Sequence, residues 1–134
     1  MREIHIWITE NDYENANLMI LIGYILMGHP DWKYSQIKIF AIFPEEGIQD
    51  QRKKLLELAK EGRLPISSNN IGVISKVDGK TNRDLINETS SAADLSIIGF
   101  RSEAIKQLGD EVFHGYYESG NILFVNARNE KEII

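Results

Sequence analysis

The fold of this chain is decided by residues 4–39, which read IHIWITENDYENANLMILIGYILMGHPDWKYSQIKI. A short apolar run is followed by a polar turn, and then by a segment that is apolar for most of its length. A polar connector containing His29, Pro30 and Trp32 leads into a second apolar run at residues 37–43. A strand, a crossover helix and a second strand form a right-handed βαβ unit, so this stretch predicts two parallel strands.

The rest of the chain continues the alternation of strand and helix. Apolar runs predict five strands, over residues 3–8, 37–43, 71–77, 95–100 and 122–127. Helical spacing predicts four helices, over residues 12–28, 44–62, 81–91 and 102–116. Asp12 and Ser102 are the expected N-caps of the first and fourth helices, and Thr81 with Asp84 is expected to form a capping box at the third. The pattern predicts one α/β domain over residues 1–134, with a five-stranded, mainly parallel sheet in a Rossmann-like, three-layer α/β/α arrangement.

The composition narrows the function classes. A chain of 134 residues can bury a real core. The net charge of −5 argues against nucleic acid and against an anionic membrane surface, because both attract basic patches. The absence of cysteine excludes disulfides, thiolate metal sites and cysteine nucleophiles. Arg2 is followed at once by an alternating strand, so no signal peptide is expected.

One segment, residues 18–27 with the sequence LMILIGYILM, is apolar almost throughout. A membrane-spanning helix needs roughly 20 such residues, about twice this length. The segment is therefore predicted to be a helix that is buried on several faces inside the α/β domain, with no direct insertion into lipid.

Ligands of parallel α/β sheets bind beyond the carboxyl ends of the strands, where the strand order reverses. Six residues of the predicted loops are expected to line such a crevice: Thr9, Glu10, Asp12, Asp78, Gly99 and Arg101. The first of these loops has no glycine and carries two carboxylates, which would repel a phosphate. A dinucleotide fingerprint and a P-loop are therefore absent.

The residues that other protein classes use for binding or catalysis at this crevice are also missing. The spacing of Gly99 and Gly109 differs from that of the glycines in ATP-binding universal stress proteins. A receiver domain would need a lysine after the fifth strand, where Arg128 stands instead. The histidines have no metal-ligand spacing and no neighbouring nucleophile. They are expected to be structural or solvated: His5, His29 and His114. The sequence predicts no catalytic residue, no cofactor and no metal site.

The opening stretch also matches a family pattern. It consists of the strand IHIWI (residues 4–8), an acidic turn, an apolar helix containing YIL (24–26), a tryptophan at position 32 and the strand IKIF (37–40). In this order it resembles the later part of the cytoplasmic C-terminal domain of cation-chloride cotransporters. Members of that family have a strand I-D-x-W-W-L, a leucine-rich helix with a Pro-Tyr-Leu-Leu core and a strand K-I-R-V-F. Later segments resemble the family's Leu-Asn-Glu helix, Ser-Ser-x-Ala segment and final strand: RDLINE (83–88), SSAADL (90–95) and NILFVNARN (121–129).

The chain departs from the family pattern in three loops. The family's Asp-Asp-Gly-Gly turn is replaced by ENDY (10–13), and its Ser-Leu-Pro after the fourth strand is replaced by GFR (99–101). A long charged insertion of animal members is reduced to DGK (78–80). These differences suggest a compact prokaryotic relative.

The resemblance implies a universal-stress-protein-like fold that does not bind ATP. It implies a fragment of a larger integral membrane protein, lying on the cytoplasmic side of the cell membrane, that regulates and dimerises a sodium/potassium/chloride cotransporter without catalysis. The implied partners are the transmembrane domain of the same transporter and a second copy of the chain. No ion-binding residue is expected, because the transport sites of the family lie in its membrane part. The alternative is a stand-alone universal-stress-type protein that binds a nucleotide or another small ligand.

Overall fold

In the computed structural model, which describes residues 2–9, 15–61, 68–76, 78–116 and 120–126, five strands form one parallel sheet. The strands are β1 (Glu3–Thr9), β2 (Gln36–Phe43), β3 (Ile71–Ser75), β4 (Leu95–Gly99) and β5 (Ile122–Val125). They lie in the order β3-β2-β1-β4-β5, and every neighbouring pair is parallel. The chain therefore adds β2 and β3 on one side of β1 and then returns to place β4 on the other side. This reversal makes the gap between β1 and β4 the topological switch point of the sheet.

Helices cover both faces of the sheet. They are α1 (Ala16–Met27), α2 (Ile48–Glu61), α3 (Asn82–Thr89) and α4 (Ser102–Leu108). The first two pack on one face, since Met19 and Leu55 belong to one core cluster with the even-numbered isoleucines of β1. Leu85 and Ile86 of α3 pack on the other face, in a cluster with Trp7. The predicted three-layer α/β/α architecture is confirmed, and the sheet is parallel throughout the described residues.

Helix α1 buries only one of its faces. Its buried residues are Ala16, Met19, Ile20 and Gly23. Its outer side exposes three large apolar side chains: Leu21 at 50%, Tyr24 at 45% and Ile25 at 63%. The prediction of burial on several faces is therefore wrong, because the sheet offers the helix a single packing surface. Neither α1 nor any other described helix has the length and apolarity needed to cross a membrane.

Two helices begin later than the sequence predicts. The α-helical part of α1 begins at Ala16, and the expected cap Asp12 lies outside the described residues. The second helix, α2, begins at Ile48 instead of residue 44. Gly47 has a φ of +77°, which is incompatible with a right-handed helix and delays the start to the next residue.

The loop before α3 has the predicted chemistry. Asp78 and Gly79 form a turn, and Gly79 has a φ of +85° that favours glycine. The backbone N–H of Asp84 donates to Thr81 Oγ1 at 3.1 Å, and the backbone N–H of Thr81 donates to Asp84 Oδ2 at 2.9 Å. The capping box is confirmed. It satisfies two backbone donors that the first turn of the helix would otherwise leave unpaired.

The fourth helix is much shorter than predicted. It ends at Leu108, because Gly109 has a φ of +62° and diverts the chain into a 3₁₀ turn over Gly109–Phe113. The prediction that Ser102 caps this helix is also wrong. Its hydroxyl instead accepts a hydrogen bond from Asn126 Nδ2 at 2.9 Å, which connects the start of α4 to the end of β5.

Candidate ligand crevice

A cavity of about 430 Å³ opens at the carboxyl ends of β1 and β4. It lies at the switch point of the sheet, and its outer wall is formed by α4 and by the segment that follows this helix. The residues lining it are Thr9, Ile98, Gly99, Phe100, Arg101, Glu103, Ala104, Gln107, Val112, Tyr116 and Phe124. This volume falls in the range of small-molecule sites, roughly 300 to 1,000 Å³.

The floor of the cavity is apolar and largely aromatic. Ile98 of β4 is buried, and Phe124 lies beside it on β5, in register with it. The rings of Tyr116 and Phe124 meet edge to face with their centroids 5.6 Å apart. The ring of Phe113 also packs edge to face against that of Phe124, with centroids 4.8 Å apart. Edge-to-face packing of this kind stabilises the rings against one another, so the floor of the cavity is part of an aromatic cluster.

The rim of the cavity is polar. Arg101 Nε lies 3.6 Å from Glu103 Oε2, and both side chains are more than half exposed. Thr9 and Gln107 add a hydroxyl and an amide to the lining. The loop between β4 and α4 is held in place from the other side of the switch point, because Asn15 Nδ2 donates to the carbonyl oxygen of Phe100 at 3.2 Å.

The structure brings together three of the six residues that the sequence assigned to a crevice. Thr9, Gly99 and Arg101 line the same cavity. Asp78 does not line it, since it follows β3, and β2 and β1 lie between that strand and β4. Glu10 and Asp12 lie outside the described residues.

Sequence reasoning missed the floor and the outer wall of the cavity. Val112 and Tyr116 were assigned to one continuous helix, whose apolar side would have packed on the sheet. The break at Gly109 instead turns this segment toward the carboxyl end of β4. Phe124 was detectable, because it alternates with Ile122 and must therefore share one face of β5 with it.

A second polar cluster lies between β1 and the end of α3, and none of its residues is among those that line the cavity. Trp7 Nε1–H donates to Ser90 Oγ at 2.8 Å, and Ser90 Oγ lies 2.7 Å from His5 Nδ1. His5 Nε2 lies 2.8 Å from Glu3 Oε1, and a carboxylate can only accept, so Nε2 carries a proton; in the neutral imidazole Nδ1 is then the acceptor of the Ser90 hydroxyl. The hydrogen bond from His5 lowers the pKa of Glu3. Partial burial opposes this shift, and Lys38, 3.3 Å away, adds to it.

The order carboxylate, imidazole, hydroxyl is the order of a hydrolase triad, but the placement excludes that chemistry. Ser90 is fully buried and is not among the residues that line the cavity, so its hydroxyl cannot meet a substrate. The cluster joins β1 to the end of α3. His5 is thus a buried structural residue, whereas His29 and His114 are exposed.

Within the described part of the chain, no three acidic, histidine or cysteine side chains are grouped so that they could hold a metal ion. Comparison of the sequence with models of protein families and with curated proteins found no match.

Proposed function

We propose that the chain is a non-catalytic cytoplasmic regulatory and dimerisation domain of a cation-chloride cotransporter. The observation that carries this proposal is the outer face of α1, where Leu21, Tyr24 and Ile25 form an exposed apolar stripe. The helix contains no charged residue from Ala16 to Met27. Contiguous exposed apolar side chains are typical of surfaces that contact another protein.

The position of the family-like segments supports the same proposal. The stretch that resembles the cotransporters most closely forms β1, α1 and β2, and the later matches include α3, the first residue of β4 and all of β5. The four strands that they touch are neighbours in the sheet. The resemblance thus includes β1 and β2, at the centre of the sheet, where a shared fold requires similar residues.

The described polar groups support a non-catalytic role. The hydroxyl of the cluster with the order of a catalytic triad, that of Ser90, is fully buried, and the described rim of the cavity carries the exposed ion pair of Arg101 and Glu103. In this proposal the domain belongs to an integral membrane protein, contacts the transmembrane domain of that protein, and pairs with a second copy of itself on the cytoplasmic side of the membrane.

The parent gene tests the transporter part of the proposal. A reading frame that continues upstream through many hydrophobic spans of about 20 residues each is the expected result. A frame that encodes only this domain would contradict it.

Light scattering and sedimentation test the dimer part. The isolated domain is expected to be a dimer at high concentration, and Leu21→Glu is expected to convert it to a monomer because a carboxylate would be buried in the interface. Leu108→Glu is the matched control, since Leu108 is exposed to 49% and lies on α4 instead of α1. A monomeric wild-type domain, or an equal effect of both variants, would contradict the assignment of the α1 face.

The cavity favours a second candidate, a stand-alone universal-stress-type protein that binds a nucleotide or another small ligand. Thermal unfolding with ATP, ADP and cyclic nucleotides separates the two candidates. The cotransporter proposal expects no rise in melting temperature, whereas a dose-dependent rise at micromolar nucleotide would favour the second candidate.

A further inference from the structure

We infer that the cavity at the switch point binds a small zwitterion, namely an α-amino acid with an apolar side chain. The inference rests on the lining of the cavity and holds whether or not the chain belongs to a transporter.

The charges on the described part of the rim balance each other. Among the described residues that line the cavity, Arg101 is the one cation and Glu103 the one anion. An anion that binds Arg101 alone would place its charge beside the Glu103 carboxylate, and a cation that binds Glu103 alone would face the guanidinium. A zwitterion avoids both conflicts, because its carboxylate pairs with Arg101 and its ammonium pairs with Glu103.

The spacing at the rim fits groups that share one carbon atom. Arg101 Nε and Glu103 Oε2 are 3.6 Å apart, so two opposite charges of a ligand must also lie close together to meet both. The ammonium and carboxylate of an α-amino acid meet this condition. Thr9 and Gln107 provide neutral donors and acceptors for the remaining hydrogen bonds of these groups.

The floor selects the side chain of the ligand. Below the rim lie Ile98, Tyr116 and Phe124, which present hydrocarbon and aromatic surface. Among these three residues the Tyr116 hydroxyl is the one polar side-chain group, so a polar ligand side chain would lose its water there for few new hydrogen bonds. A branched or aromatic side chain would instead bury apolar surface against these residues, and the cavity of about 430 Å³ has room for it.

The same charge pattern disfavours a phosphate ligand. A nucleotide carries several negative charges, and the described part of the lining offers one guanidinium, which already lies beside a carboxylate. An amino acid therefore suits this rim better than a phosphate ester does.

The test is a titration of the isotope-labelled domain with L-phenylalanine and L-leucine, followed by backbone chemical shifts. We expect saturable shifts at Thr9, Gly99 and Ala104. Phenylpropionate lacks the ammonium group and phenylethylamine lacks the carboxylate, so each is expected to bind about tenfold more weakly than phenylalanine or worse. Saturable binding of neither amino acid at millimolar concentration would overturn the inference. So would phenylpropionate binding as tightly as phenylalanine.

Variants locate the binding to the cavity. Arg101→Gln and Glu103→Gln are each expected to weaken binding about tenfold, because each removes one charge-assisted hydrogen bond. Lys80→Gln and Glu88→Gln are the matched controls, since this exposed pair lies 2.8 Å apart and neither residue lines the cavity. Unchanged binding in the rim variants, or an equal loss in the controls, would overturn the assignment.

A cavity-filling variant gives an independent check. Ala104→Phe places a ring in the cavity and is expected to abolish binding of L-phenylalanine. Retained binding in this variant would place the ligand elsewhere and overturn the inference. The rim variants change exposed side chains and leave the core intact, so they decide the question even if the larger residue prevents folding.

Discussion

The same substitution, serine to alanine, is expected to have opposite effects at two fully buried positions of this protein. Ser90 Oγ accepts a hydrogen bond from the Trp7 indole and is also hydrogen-bonded to His5 Nδ1, to which it donates when the imidazole is neutral. Ser96 lies beside His5 in the sheet register and is equally buried. Within the described residues, its hydroxyl is the buried side-chain polar atom that lacks a hydrogen-bond partner. The two positions therefore separate the effect of losing a hydroxyl from the effect of breaking a network.

The magnitudes follow from what each alanine leaves behind. Ser90→Ala leaves the Trp7 N–H donor and the His5 Nδ1 acceptor buried without a partner. Each such group costs about 1 to 3 kcal/mol, so the free energy of unfolding should fall by about 2 to 4 kcal/mol after the side chains around position 90 have relaxed. Ser96→Ala removes a buried hydroxyl that makes no bond, so stability should stay constant or rise by up to about 1 kcal/mol.

Urea unfolding at neutral pH, followed by far-ultraviolet circular dichroism, measures both values without relying on the fluorescence of the perturbed tryptophan. Ser91→Ala is an exposed control next to Ser90 and should change stability by less than about 0.5 kcal/mol. A loss for Ser90→Ala below about 0.5 kcal/mol, or equal losses at Ser90 and Ser96, would refute the assigned network.

Two further perturbations test the packing and the electrostatics of β1. Gly23→Val should lower the free energy of unfolding by about 1 to 3 kcal/mol through overpacking, because even a Cβ at Gly23 would lie 3.1 Å from Ile6 Cδ1. Asn17→Val, on the exposed side of the same helix, should lower it much less in the same denaturation assay. The pKa of Glu3 is lowered in the folded protein, so its carboxylate stabilises the fold above its ordinary pKa of 4.5, and this contribution is lost as the pH falls through the lowered value. Glu3→Gln should therefore flatten the decline in stability on the acid side, and an unchanged acid decline would contradict the His5 and Lys38 contacts.

Strands β1 and β4 were predictable from the sequence because their central residues are buried on both faces of the sheet. In β1 every residue from Ile4 to Ile8 is buried, and all of these residues except His5 are apolar. Helix ends were less predictable, since single glycines with positive φ decide them. Gly47 delays α2 and Gly109 ends α4, and in the sequence each could equally have been read as a tolerated helical residue.

The crevice was predictable where it depends on sheet topology and unpredictable where it depends on the path of a loop. Thr9 and Gly99 end the two strands that flank the switch point, so their position follows from the alternation of strands and helices. Asp78 was assigned by the same rule, but the order of the strands places β3 at the far edge of the sheet. Tyr116 reaches the cavity only because the chain turns at Gly109, and periodicity alone does not reveal that turn.

The exposed apolar side chains on the outer face of α1 are not explained by packing among the described residues. Helix α2 packs on the same face of the sheet as α1. Its inner side is apolar, and its outer side is charged and exposes Lys53, Lys54 and Glu57. The sheet therefore does not require a helix in this layer to be apolar on both sides. Helix α1 nevertheless has no charge from Ala16 to Met27, and its exposed apolar stripe costs solubility without adding to the core. The proposed dimer would cover this face and would account for the difference between the two helices, and Leu21→Glu therefore targets α1.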